Sequence, residues 1–357
     1  MTAAPSETVV VTDRGAVEGV VEGGTVVFRG IPYAAPPVAD LRFRPPVDHA
    51  CWEETRSATT FGPVCPQLAA TGAFKGDEDC LTLNVFTPTG GGASKPVMFF
   101  IHGGGNIQGS ASESIVQDIG AIYDGKRLAE ERDVVVVTAQ YRLGAMGYLT
   151  HTGLDAESPA GVSGNYGTRD QIAALGWVQR NIGAFGGDAD RVMVFGESAG
   201  AVNTCTLLTS PLASGLFHAA LMQSGGCRQP AIALAQTSMK KLVDDSTCGA
   251  AADPIACLRA LSAEEILAEL PGSIGVFDVS PSLSVGYGPI VDGVVLPESP
   301  EAALVAGAFA PVPFVVGANA EELAKLITVQ VDTEAENIAS VEQAMAPYGQ
   351  QATDDAF

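Results

Sequence analysis

Ser198 stands at the centre of Gly196-Glu197-Ser198-Ala199-Gly200, directly after the apolar run Val192-Met193-Val194-Phe195. That order reads as a strand driven into a helix through a turn too tight for ordinary side chains, with a serine at its apex. Such a nucleophile elbow lifts a hydroxyl above the edge of a sheet. Gly196 and Gly200 lack Cβ atoms, which permits strained backbone and close packing of helix on strand. A helix starting near Ala199 would aim its amide dipoles at a developing negative charge. The pattern alone also fits a glycine-rich loop with a surface serine. On the order of 0.3 such matches arise by chance in a chain of this composition.

A second run narrows the chemistry. Val97-Met98-Phe99-Phe100-Ile101 feeds into His102-Gly103-Gly104-Gly105. Consecutive glycines after a buried strand expose backbone N–H groups that can face a carbonyl oxygen as it gains charge. This is the H-G-G-G oxyanion loop of esterases and lipases, and it precedes the serine as that fold requires. No G-x-x-x-x-G-K-[ST] sequence favours phosphate instead. Ester hydrolysis further needs a base to take the serine proton and a carboxylate to orient that base.

The elements that must position these groups alternate between strand and helix. Residues 7–28 read as an N-terminal β-meander, followed by Pro- and Gly-rich chain to about residue 80. Strands are expected at Leu83 to Thr87, Val97 to Ile101, Val134 to Gln140, Val192 to Phe195, Leu221 to Gln223 and Phe314 to Gly317. Thr168 to Asn181 has helical periodicity, and residues 230–310 turn helical, with a capping box at Ser262 and Glu265. This alternation predicts an α/β fold with a mostly parallel central sheet flanked by helices. Without repeats or a low-complexity linker, residues 1–357 read as one domain.

Composition limits the partners. Asp plus Glu number 41 against 19 Lys plus Arg, a formal charge of -22. Nucleic acid binding needs cations to replace phosphate counterions, so it is not expected. An anionic substrate would be disfavoured at long range. The apolar runs are strand-sized, so no membrane span is expected. Cys65 and Cys80 flank a Gly-containing loop, and Cys248 and Cys257 an Ala-rich one. Local pairs closing small loops suggest disulfides and a secreted or periplasmic location. The N-terminus shows no signal peptide, which leaves the cytoplasm open. No spacing matches a zinc or thioredoxin motif, and this chemistry calls for no cofactor or metal.

The chain resembles the type-B carboxylesterases from about residue 9 onward. Phe28-Arg29-Gly30-Ile31-Pro32-Tyr33 with Leu41-Arg42-Phe43, and Glu78-Asp79-Cys80-Leu81-Thr82-Leu83-Asn84, are similar to that family's N-terminal patterns. Tyr141-Arg142-Leu143-Gly144, Asn165-Tyr166-Gly167, Asp170-Gln171, Phe185-Gly186-Gly187-Asp188, Gln223-Ser224-Gly225 and Val291-Asp292-Gly293 follow in order. The resemblance implies the α/β-hydrolase fold and hydrolysis of neutral, small-molecule carboxyl esters through an acyl-enzyme. It implies Ser198 as nucleophile, the N–H groups of Gly104, Gly105 and Ala199 as oxyanion donors, and Glu322 as the acid. It also implies disulfides Cys65–Cys80 and Cys248–Cys257 and a structural ion pair between Arg42 and Glu78. Two departures stand out. Asn106 replaces an aromatic after the glycine triplet, which predicts a more polar acyl pocket. The loop from Cys65 to Cys80 has no tryptophan, which argues against choline esters.

The base is missing from its expected place. The fold's order is serine, acid, histidine, yet no histidine follows Glu322, and the chain's four lie at 49, 102, 151 and 218. Two expectations follow. Either the sequence is a C-terminally incomplete esterase, whose last strand and helices lie elsewhere and which turns over slowly alone, or it is a catalytically impaired relative used for binding or adhesion. Retention of Ser198, both oxyanion glycines and Glu322 favours the first.

Overall fold

The computed structural model describes residues 8–69, 71–90, 94–112, 123–272 and 286–320. Eight strands form the central sheet: Val20–Glu22 (β1), Thr25–Pro32 (β2), Thr82–Pro88 (β3), Lys95–Ile101 (β4), Val135–Ala139 (β5), Gly187–Glu197 (β6), Ala219–Gln223 (β7) and Phe314–Gly317 (β8). Their spatial order is β8-β7-β6-β4-β5-β3-β2-β1. The pairings from β8 across to β5 are parallel, and those among β5, β3, β2 and β1 are antiparallel.

The strands follow from their side chains. Every residue of β5 is buried, as befits a strand with both faces covered, so its sequence is a continuous apolar run rather than an alternation. The meander does not stay in one sheet. Val9–Val11 and Ala16–Glu18 pair with each other, and Arg56–Ser57 joins them in a separate three-stranded sheet. The chain crosses over at Gly19, where a Cβ would stand 2.4 Å from the Val27 carbonyl oxygen. No larger residue fits there.

Three helices matter most here: Lys126–Arg132 (α1), Tyr166–Asn181 (α2) and Ala199–Thr209 (α3). Trp177, Leu175 and Val178 of α2 are fully buried, and Phe185 beyond it meets Phe28 of β2 edge to face at 4.9 Å. After β4 the chain passes through α1 to β5 on one side, then returns through α2 to β6 on the other. Such a reversal of strand order opens a crevice at the carboxyl ends of the two strands, here β4 and β6. Both glycine-rich segments begin at that crevice.

Candidate active site

Ser198 has φ +56° and ψ -123°, outside the usual left-handed helical region and uncommon for any residue with a Cβ. Its surroundings enforce that backbone. The Ser198 N–H donates to Gln223 O at 2.9 Å, and the Ser224 N–H donates to Gly317 O at 2.7 Å, so the ends of β6, β7 and β8 are stitched together. A Cβ on Gly200 would lie 2.1 Å from Ile101 O. Helix α3 can therefore approach β4 only with glycine at this position. As the first residue of α3, Ala199 has an N–H that the helix itself cannot satisfy.

The loop leaving β4 supplies the other wall. Gly104, Gly105 and Asn106 have φ of +106°, +64° and +57° in succession. The Gly104 carbonyl accepts from the N–H groups of Ile107 and Gln108 at 3.2 and 3.1 Å, which closes the turn. A Cβ on Gly103 would stand 3.2 Å from Ser198 Cβ, so the loop runs directly beside the serine. Behind it, Gln67 clamps the far end: its Nε2 donates to Gly109 O at 2.9 Å and its Oε1 accepts from Gly109 N–H at 2.8 Å. Gln67 lies in the loop closed by the disulfide Cys65–Cys80.

His102 is buried, and its ring stacks on Tyr141 with centroids 4.4 Å apart. Its Nδ1 lies 2.9 Å from Gly103 O, so in the neutral ring that nitrogen carries the proton and donates it. Burial pulls the imidazole down to about 4, with the Gly103 bond a partial offset. His102 is thus a neutral building block of the loop. Asn106 directly follows the glycine triplet. Its side chain turns inward, is buried, and its Oδ1 accepts from Asn203 Nδ2 at 2.8 Å and from the Tyr141 hydroxyl at 3.4 Å.

Strand order, elbow and glycine loop together place a serine at the switch point of an α/β sheet beside a glycine-rich loop. Comparison with known proteins agrees: the carboxylesterase family matches residues 6–353. The chain belongs to the carboxylesterase family. It is 44% identical over 320 residues to a fumonisin B1 esterase of Sphingopyxis macrogoltabida, covering 87% of this chain and 55% of that protein. It is 38% identical over 320 residues to a para-nitrobenzyl esterase of Bacillus subtilis (strain 168), covering 88% and 63%. A solved structure of a PNB esterase superposes with a TM-score of 0.81 at 36% identity, over 94% of this chain and 69% of the other. The chain thus spans little more than half the length of these curated relatives. This likeness establishes the α/β-hydrolase fold.

The remaining residues of this carboxylesterase-family chain divide cleanly. Arg42 and Glu78 pair through two contacts, with Nε to Oε1 at 2.8 Å, and Arg42 Nη1 also donates to Leu261 O at 2.6 Å. Cys248 is bonded to Cys257, and Cys205 to Cys227. Sequence spacing gave no signal for the latter, because it joins α3 to the loop after β7. Glu322 lies outside the described residues. However, β8 ends at Gly317 level with Gln223 and Glu197, at the same edge as the elbow.

Sequence reasoning did not single out the buried pair of Arg142 and Asp170, 2% and 0% exposed, with two hydrogen bonds of 2.7 Å. It fixes the turn after β5 whose Gly144 N–H donates to Asn106 O at 2.7 Å. The motif positions were visible; their pairing needed the fold.

No histidine bonds the Ser198 hydroxyl among the described residues, which include all four. His151 caps a short helix, its Nδ1 accepting from Gly153 N–H at 3.0 Å. His218 precedes β7 and bonds Val192, roughly 16 Å of strand from the elbow. His49 sits against Trp52, with ring centroids 5.5 Å apart.

Proposed function

We propose that the protein is a serine hydrolase of neutral carboxyl esters. Ser198 Oγ attacks the ester carbonyl carbon, its proton passes to a base, and the carbonyl oxygen takes the negative charge. The N–H groups of Gly104, Gly105 and Ala199 stabilise that oxyanion. Collapse breaks the bond to the alcohol, which leaves with the proton, and water then releases the acid from the acyl-enzyme. Glu322 orients the base. The four histidines at 49, 102, 151 and 218 do not act as that base, so these 357 residues alone should turn over slowly. The observation that carries this reading is Ser198 itself: a strained backbone of this kind persists only where its surroundings over-determine it, and it gathers at reacting groups.

The names of the relatives, a fumonisin B1 esterase and a para-nitrobenzyl esterase, support carboxylic esters as the substrate class. The formal charge of -22 favours uncharged esters over anionic ones. Three disulfides fit a secreted or periplasmic protein. The decisive experiment is hydrolysis of p-nitrophenyl esters of graded acyl length by the protein as its organism makes it, beside Ser198→Ala. Ser198-dependent turnover is expected; equal rates in the two proteins would end the proposal.

A further inference from the structure

We infer that Asn106 and Asn203 form a strut that sets the oxyanion loop against the nucleophile helix, making both positioning residues for ester hydrolysis; this rests on the function proposed above. The three oxyanion donors come from two separate pieces of chain. Gly104 and Gly105 belong to the loop after β4, whereas Ala199 begins α3. A hole assembled from two pieces works only if their separation is held to a fraction of an ångström.

Asn203 lies one helical turn beyond Ala199, fully buried, and its Nδ2 donates to Asn106 Oδ1 at 2.8 Å. Asn106 directly follows Gly105. Among the described residues this is the one hydrogen bond between residues 103–109 and α3. Asn106 suits the place for a second reason. Its φ of +57° is a left-handed conformation that asparagine tolerates better than most residues with a Cβ. Its own carbonyl accepts from Gly144 N–H, and its Oδ1 also receives the Tyr141 hydroxyl. The strut thus joins the loop, the helix and the turn after β5 at one side chain. Burying two amides for packing alone has no physical advantage, since Asn203 leaves its Oδ1 without a partner among the described residues.

The test is a double-mutant cycle in the whole natural protein with a p-nitrophenyl ester. Asn106→Gly keeps the left-handed backbone and removes the acceptor, while Asn203→Leu keeps the volume and removes the donor. Each should lower kcat about tenfold with KM nearly unchanged, less than the roughly 10²–10³ of deleting an oxyanion donor. The double variant should be no worse than the poorer single one, because both break the same bond. Asn203→Ser, smaller and too short to reach, should repeat the loss if Asn203→Leu does not fold. Single effects that multiply, or a kcat within twofold of the parent in Asn203→Ser, would overturn the strut. Ser198→Ala runs alongside. If the parent shows Ser198-dependent turnover and the cycle shows no coupling, the strut alone fails; if there is no such turnover, both proposals fall.

Discussion

The two ends of the central sheet are built on different physics. At the carboxyl ends of β4, β5 and β6, polar groups are buried: His102, Asn106, Gln140, Arg142, Asp170 and Asn203. At the amino ends Lys95 is buried and paired with Asp133, but other polar groups face water, as in the pair of Arg191 and Asp188 at 2.8 Å, with Arg191 52% exposed. Positive φ alone does not separate the ends. Asp133 has φ +52° and ψ +49°, an ordinary left-handed stop where α1 ends. Ser198 has a similar φ but ψ -123°. The amino end uses a cheap turn; the carboxyl end holds an expensive one. Burial, positive φ and close glycine contacts come together around Ser198.

The largest effect that could break this contrast concerns strain. In the protein as its organism makes it, Ser198→Gly removes the proposed nucleophile and should lower ester turnover at least about 10⁴-fold. It should not destabilise the protein. Relief of roughly 1–3 kcal/mol of backbone strain outweighs about 0.5–1 kcal/mol of added chain entropy. Thermal melts of Ser198→Gly and Ser198→Ala measure this directly. A lower Tm for the glycine variant than for alanine would mean that Ser198 stores no strain.

The next largest effect concerns the buried pair. Asp170→Ala leaves the Arg142 guanidinium buried and unpaired, and should cost about 3–5 kcal/mol. Urea unfolding at neutral pH, with the slope checked for constancy, reads that loss. The same variant should depress kcat, because the Arg142 turn supplies Gly144 to the Asn106 carbonyl. A loss under about 1 kcal/mol would place this end of the sheet on the same footing as the other.

How much of this was readable beforehand follows from the same contrast. The strands, the elbow and the glycine loop were legible because each is a local pattern: apolar runs for β4 to β8, glycines where a Cβ cannot fit. The meander's division was not, because the crossing depends on Gly19 meeting Val27 in space. The hydrogen bonding of Asn106 was not legible, since its partner Asn203 lies 97 positions later. Cys205 and Cys227 were missed as a pair because their closeness is a product of α3 packing. Polar residues at the carboxyl end take their meaning from distant partners, and sequence order does not display those.

A smaller effect separates the ends by pH. Burial holds the His102 imidazole near 4 in the folded protein, against about 6.5 in an unfolded chain. The folded value is depressed, so the unfolded chain binds more protons between those two values. Stability from this residue is therefore complete above about pH 6.5 and is lost as pH falls toward 4. The full loss is about 3 kcal/mol. Urea midpoints across this range for the parent and His102→Asn should differ in slope, with the parent falling more steeply. Parallel slopes would show that His102 is not buried neutral.

The smallest effect belongs to the amino end and serves as the control for the others. Arg191→Ala removes an exposed partner of Asp188 and a bond to Ser94 O. Water replaces both, so Tm should stay within about 1–2 °C of the parent. Ester turnover should also be unchanged, since Arg191 enters β6 far from Ser198. Salt distinguishes the ends further: the exposed pair is screened at high ionic strength, whereas the pair of Arg142 and Asp170 is not. If Arg191→Ala lowered Tm as far as Asp170→Ala, the amino end would be as tightly built as the carboxyl end. Burial would then no longer mark which end carries the chemistry.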